Sequence, residues 1–366
     1  MTMFKTLKQF ALHLIAGANV TTILLMAATG FSGWLDPTAH PTLAQAHFVF
    51  PVLLVVNLAF LGFWALVKPR YALIPFVGLL LCYGPVRRYA PINLPKAAPE
   101  GSIKVLTYNV AGFHFLPADT DEERAEMPNY IVAQGADIVC LQEAHVEQSR
   151  KRIVEDILSK AYAYHDTLCA PGGTNPLALY SKFPILKKES ISYTSETNHS
   201  GAFFVLIDAD TVLVVNNHLQ SLRLSPSDKE GFQSMVEGSL NRDSAKSESY
   251  KLLDKIRSAS LARAPQAEAV ASYISRHEGM SVIVCGDFND TPLSYANHII
   301  EKGLTNCYEA SGNGPGFTYH ENGMFVRIDN ILCSKDWTPY ECKTDRKIDA
   351  SDHYPVSCRL KKATKP

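Results

Sequence analysis

Residues 282–292 read "VIVCGDFNDTP": Val282, Ile283, Val284 and Cys285 run straight into Gly286, Asp287, Phe288 and Asn289. An unbroken apolar run of this length marks a strand covered on both faces. Such a strand gains nothing from a carboxylate at its tip unless something beyond the tip needs one. The same arrangement recurs along the chain. "VLTYNV" ends near Asn109, "IVCLQE" ends on Glu143, and "LVVNNHLQ" carries Asn216 and His218. "RIDNILC" begins with Asp329, and the final apolar run follows Asp352 and His353. One Asp or Asn at a strand end is ordinary turn chemistry. Six polar boundaries in one chain point to a shared cleft at one sheet edge.

The runs alternate with helical patterns from Ile103 onward. "ERAEMPNYIVAQG" and "VEQSRKRIVEDILSKA" read as helices, the second from the spacing of Ile153, Ile157 and Leu158. "LALYSKFPI" reads as one strand, and "AFFVLIDA" and "TVLVVNNHLQS" as a hairpin turned at Asp-Ala-Asp. Residues 222–260 are polar and read as an extended insertion, helical around "SYKLLDKIRS", with a separate amphipathic helix in "LARAPQAEAVASYISRHEG". Mixed strands and helices over residues 103–362 predict an α/β (α+β) domain of layered sheets with helices outside.

The first quarter is different. Apolar stretches cover about 10–30, 48–67 and 71–86, and residues 1–90 are expected to form a transmembrane region anchored in the lipid bilayer. A cleaved signal peptide would account for the first stretch but not for the other two. The third is short and contains Pro75, so it either spans or lies re-entrant. Lys5, Lys8, Lys68 and Arg70 flank the spans on one side, whereas 31–47 has no Lys or Arg. The positive-inside rule then predicts an integral membrane protein with its N-terminus in the cytoplasm and its catalytic part extracytoplasmic. Arg87 and Arg88 fall on the wrong side for that rule, and a third segment that does not span would put the catalytic part in the cytoplasm. Residues 91–102, "PINLPKAAPEGS", read as a stiff linker.

Charge narrows the function. The whole chain holds 35 Lys/Arg and 36 Asp/Glu. Removing the seven basic and two acidic residues of positions 1–100 leaves 28 against 34, a net of −6. This lacks the broad basic footprint of a protein that tracks nucleic acid. The eight cysteines form no CxxC pair. Cys140, Cys285 and Cys333 read as core fillers, and Cys169, Cys307, Cys342 and Cys358 as candidates for disulfides.

The tip residues suit one chemistry. Glu143 and Asp352 are hard oxygen donors for Mg²⁺ or Mn²⁺, and Asn109 adds an amide oxygen or orients a carboxylate. An oxygen-ligated ion beside His and Asn side chains suits a phosphate group, and Asp287 is a candidate acceptor for the proton of attacking water. Tyr180 reads as an ordinary strand tyrosine and Arg263 as a helix-surface charge rather than a brace for the His218 loop. "PGGTN" (171–175) and "HENG" (320–323) read as turns.

"TYNVAG", "IVCLQE", "NNHLQS", "GDFND", "RIDNIL" and "SDHYPV" together resemble the endonuclease/exonuclease/phosphatase superfamily over residues 103–362. The resemblance implies a four-layered αββα sandwich of two packed mixed β-sheets and a metal-dependent phosphoesterase acting on nucleic acid or on a phospholipid headgroup. It further implies that Glu143 binds the metal with Asn109 beside it, and that Asp352 is an additional ligand. His218 would contact the phosphate or assist the leaving group, Asp287 would orient or deprotonate water, and Asn289 would hold a phosphoryl oxygen. Asp329 would fix the tautomer of His353, which stabilises transition-state charge. Some apurinic endonucleases carry an acid two places after the Asn; Ala111 stands there, which argues against abasic-site repair and a second metal. The Trp and Pro-Ala-Trp-Cys-Asp-Arg signatures of inositol phosphatases are absent. Outside the enzyme classes, the alternative is a catalytically inactive membrane scaffold or receptor.

Overall fold

The computed structural model describes residues 2–115, 117–170, 175–195 and 197–363, so most of "PGGTN" lies outside the described residues. The chain opens with helices α1 (Thr2–Gly30), α2 (Phe50–Val67), α3 (Leu73–Leu81) and α4 (Tyr83–Tyr89), with 3-10 turns at Ser32–Trp34 and Leu43–Val49 between the first two. Two continuous stretches are long and apolar enough to cross a membrane, Thr6–Trp34 and Leu43–Val67. The third is broken: Pro69–Leu81 and Tyr83–Tyr89 meet at a bend of 70°. Asn19 Nδ2 donates to Asn57 Oδ1 at 3.1 Å, and Asn57 Nδ2 donates to Pro75 O at 3.1 Å. These bonds tie the helices together through two buried amides that would be costly to leave unpartnered.

The rest of the chain is a sandwich. Its strands are β1 (Ile103–Asn109), β2 (Ile138–Gln142), β3 (Tyr164–Leu168), β4 (Leu177–Ser181), β5 (Ile185–Ile191), β6 (His199–Ile207), β7 (Asp210–His218), β8 (Ser281–Asp287), β9 (Thr305–Asn306), β10 (Asp329–Cys333), β11 (Trp337–Thr344) and β12 (Val356–Lys362). They form two mixed six-stranded sheets, ordered β11-β12-β1-β2-β4-β3 and β5-β6-β7-β8-β10-β9. Helices α5 (Asp121–Ala133) and α6 (Gln148–Ala161) accompany the first sheet. Helices α7 (Pro226–Val236) and α8 (Arg242–Ser275) follow β7, α9 (Tyr295–Glu301) follows β8, and α10 (Cys307–Ser311) follows β9 in the chain.

The stretch 282–287 shows how the layers form. In β8, Ile283 and Cys285 point into the core between the sheets, whereas Val282 and Val284 pack with Ala267, Val270 and Ala296 of the outer helices. In β1, Val105 faces the inner core, and Leu106 and Tyr108 face Met127, Ile131, Val154 and Leu158 of α5 and α6. A strand buried on both faces has no polar alternation to show, which is why these runs are uniformly apolar.

Several sequence expectations are corrected. "LALYSKFPI" is two strands in different sheets, β4 and β5. The polar stretch 222–260 is helical around "SYKLLDKIRS" as expected but far beyond it: α7 and a single 34-residue α8 cover most of it, and α8 runs through Pro265 to Ser275, with no separate second helix. Cys307, Cys342 and Cys358 do not form disulfides but join Cys140, Cys285 and Cys333 as buried thiols between the sheets.

The helical region is fastened to the sandwich. Gly33 packs so closely that a Cβ there would stand 1.9 Å from Leu293 O. Trp34 stacks on His298 at 5.5 Å, and Arg88 pairs with Glu301 at 2.9 Å. Arg87 donates to Glu309 O at 2.9 Å, and buried Arg327 donates to Arg88 O. The two arginines that break the charge rule therefore have partners on the sandwich. Nor does Asn93 lie in a free linker, since its amide donates to Glu309 O and Gly312 O.

Candidate active site

Register brings the strand tips together. Asn109 lies opposite Gln142 in parallel β1 and β2, so Glu143 follows at the same sheet edge. In the second sheet, His218 pairs with Asp287 across parallel β7 and β8, and Asp287 pairs with Asp329 across antiparallel β8 and β10. Three ionisable residues thus occupy one continuous rung. Gly286 allows it: its φ is +126°, and a Cβ would meet Asn217 O at 2.1 Å.

The two sheets contribute to one cluster. Asn109 Nδ2 donates to Glu143 Oε1 at 3.2 Å and to Asp287 Oδ2 at 3.1 Å. His218 Nε2 stands 3.5 Å from Glu143 Oε1 and 3.8 Å from Asp287 Oδ2. His353 Nε2 lies 3.8 Å from Asp287 Oδ2, while its Nδ1 donates to Asp329 Oδ2 at 2.8 Å. The loop bearing His353 is tied down by Ser351 Oγ, which donates to Asn109 O at 2.8 Å. Glu143 and Asn289 both have positive φ, 50° and 53°, so the chain turns sharply at each strand tip.

Asn289 N–H donates to Asp287 Oδ1 at 2.8 Å, and its side-chain amide donates to Leu219 O at 2.9 Å. Asp352 lines the same cavity as Glu143, Asp287 and Asn289 but lies outside the tight cluster, and its backbone carbonyl receives His320 N–H. Asn216 does not belong to the site. It accepts from Gln142 Nε2 at 2.6 Å and donates to Leu141 O at 3.0 Å, clamping one sheet to the other. Tyr180 stacks on His165 and packs among the outer-layer residues of the first sheet.

Electrostatics polarise the cluster. Burial would raise the Glu143 carboxyl, but His218 and the Asn109 amide outweigh it and hold it below its ordinary value. Asp287 is pushed up to about 6, first by burial and then by Asp329. Burial opposes a charge on His353, yet the carboxylates of Asp329 and Asp287 raise it to about 10. The site therefore holds an ionised carboxylate, a carboxyl poised near neutrality and an imidazolium.

A divalent cation fits the donor set. Among the described residues, Asp287, Asp329 and His353 offer ligand atoms within 4.8 Å of one another. Asp329 and His353 are already bonded to each other, however. The Glu143 and Asp287 carboxylates share the Asn109 amide and the His218 ring between them, and among the described residues their ion-pair partners are histidines rather than Lys or Arg. Hard oxygen donors that no Lys or Arg pairs with among the described residues suit Mg²⁺ or Mn²⁺.

Sequence reasoning missed three parts of this region. Arg263 is buried, not on the helix surface: its guanidinium grips Asp290 Oδ2 at 2.9 Å and donates to Gln220 O at 2.8 Å, bracing the loops after Asp287 and His218. The cavity of about 310 Å³ over the cluster is walled by Leu222, Leu224, Lys229 and Met324, the last from the turn after "HENG". Phe48 also lines it, from the apolar first quarter.

A model described as the Endonuclease/Exonuclease/phosphatase family matches residues 106–353. The chain belongs to that family. Its members act as phosphoesterases or nucleases and generally use divalent metals. A second model, for a domain of unknown function, matches residues 12–89. No curated protein matches the chain. Among solved structures, the human nocturnin catalytic domain with bound sulfate is similar at 17% identity, over 72% of this chain and 94% of that one, with a TM-score of 0.51. D. rerio TDP2 complexed with a single-strand DNA product gives 16% identity, 72% and 100% coverage and a TM-score of 0.48. Sphingomyelinase C from Streptomyces griseocarneus gives 17%, 72%, 99% and 0.46. The nocturnin likeness shows the shared sandwich.

Proposed function

We propose that the protein is a membrane-anchored, divalent-metal-dependent phosphoesterase that hydrolyses a P–O ester bond, preferentially a phosphodiester, by attack of water. The observation that carries this reading is the His218–Asp287–Asp329 rung facing Glu143 and Asn109 beneath one cavity. Asn109, Glu143 and Asp352 would hold Mg²⁺ or Mn²⁺. When bound, the ion polarises a phosphoryl oxygen and offsets charge on the leaving oxygen. Asp287 orients the attacking water and accepts its proton. Imidazolium His353, fixed by Asp329, donates to a phosphoryl oxygen as charge develops, and Asn289 supplies a neutral donor. His218 contacts the phosphate or the leaving group.

Residues 103–362 would be the catalytic domain, 91–102 its connection and 1–90 the anchor. Both Ser32–Val49 and Tyr83–Asn93 touch the sandwich, so they lie on the membrane face that it occupies. An even number of crossings then separates them, and α2 and the bent α3–α4 pair would supply two. The N-terminus and the turn holding Lys68 and Arg70 then lie opposite the catalytic domain, which the charge rule makes extracytoplasmic. The acidic balance of residues 101–366 favours a phospholipid headgroup over nucleic acid. The test is product analysis of the full-length protein on sphingomyelin, plasmid DNA and inositol phosphates, with Mg²⁺ or chelator. Chelator-sensitive cleavage of the lipid is expected; cleavage of DNA alone would refute the substrate assignment, and no cleavage of any would favour the scaffold.

A further inference from the structure

One wall of the catalytic cavity comes from outside the residues that match the family. Phe48 lines it together with Leu222, Leu224, Met324, Val326 and Ile328, and Glu143, Asp287 and His353 line the same cavity. Its neighbour His47 is buried, hydrogen-bonds Thr291 Oγ at 2.8 Å and lies 3.8 Å from Asp290. Asp290 is in turn gripped by Arg263, and Asp290 and Thr291 directly follow Asn289. The Leu43–Val49 segment is therefore bolted to the loop that carries the catalytic residues.

Phe48 also stands at the head of α2. Phe50 begins that helix, and Val49, Val52 and Val55 are exposed on it. Apolar residues thus follow one another in the chain from the cavity wall onto a helix long enough, with its first turns, to cross a bilayer. Building on the phosphoesterase reading above, we propose that Leu43–Val49 completes the substrate site and that Phe48 is a specificity-determining residue. It seats the first carbons of the alkyl chain of a lipid phosphoester whose phosphate reaches Asp287 and His353. The N-terminal region is then part of the binding site as well as an anchor.

The test uses the full chain in detergent with two water-soluble esters, hexyl and methyl p-nitrophenyl phosphate, and with hexyl and methyl phosphate as binding probes in titration calorimetry. Wild type is expected to prefer hexyl over methyl in both kcat/KM and affinity. Phe48→Ala should cut that preference about tenfold, the worth of burying roughly two methylenes, mainly through KM. Phe48→Leu should keep most of it. A merely structural role for Phe48 would lower both esters equally and leave the ratio intact, and that result overturns the proposal. If wild type binds the hexyl probe with a Phe48-dependent preference yet hydrolyses neither ester, the phosphoesterase reading fails while Phe48 keeps its place in the binding site. Turnover with an unchanged ratio in Phe48→Ala has the reverse meaning.

Discussion

His353 donates through Nδ1 to Asp329 Oδ2 at 2.8 Å, joining the loop before the last strand to the rung that carries Asp287. The bond uses one ring nitrogen and leaves Nε2 facing Asp287 at 3.8 Å. Because Asp329 and Asp287 raise His353 to about 10 despite its burial, the ring stays protonated across the neutral range.

A pH profile follows from this. Asp287 must be ionised to take a proton, so kcat/KM rises through an acid limb at or below about 6, moving lower as Mg²⁺ concentration increases. His353 must be protonated to donate, so activity falls through a basic limb near 10. Asp329→Asn removes the main group that raises His353. Its basic limb should move to lower pH while the acid limb does not move upward. A basic limb at the wild-type position in Asp329→Asn would show that the pair does not govern catalysis.

Glu143→Gln keeps the side chain's size but removes the charge facing His218 and Asn109. We expect kcat to fall about 10²- to 10³-fold, as for loss of one preorganised electrostatic group. Calorimetry should show weakened Mg²⁺ binding. Undiminished Mg²⁺ affinity would remove Glu143 from the metal site.

Arg263→Ala leaves Asp290 charged and buried without its guanidinium. Removing one partner of such a pair costs about 3–5 kcal/mol. A lowered Tm in detergent should therefore accompany the loss of activity, and Arg263→Met combined with Asp290→Leu should recover part of the Tm but not the activity. A Tm within a degree of wild type in Arg263→Ala would contradict the bracing role.

Legibility in the sequence follows burial. Asn109, Glu143, Asp287 and Asp329 stand out because each interrupts or borders an apolar run that is buried on both faces. Their place at strand tips is therefore readable from residue order, whereas the meeting of tips from two different sheets is seen only in the fold. Arg263 is not readable this way. Helical spacing says which face a residue takes but not that Asp290, 27 positions on, waits there buried. β3 escapes notice because its residues are largely exposed and polar, and α8 reads as two pieces because its solvated first half shows no apolar stripe. Phe48 is hidden for the opposite reason: in an apolar segment, a pocket wall and a bilayer contact look alike.

Sidedness is open to a fusion assay. Reporters active only in the cytoplasm should work when fused within Lys68–Tyr71 and fail when fused after Lys362, because in the proposed topology α2 and the bent pair would return the chain to the face occupied by Ser32–Val49. Equal activity at both positions would mean that the bent pair does not cross.

The most direct measurement is turnover of bis-p-nitrophenyl phosphate by the full-length protein in detergent, titrated with Mg²⁺ after chelator treatment. Release of p-nitrophenol should be absent without the ion, rise to saturation with it, and all but vanish in Glu143→Gln and Asp287→Asn proteins that retain the wild-type Tm. Turnover that persists in excess chelator, or that survives in both variants, would contradict a metal-assisted site built from these strand tips.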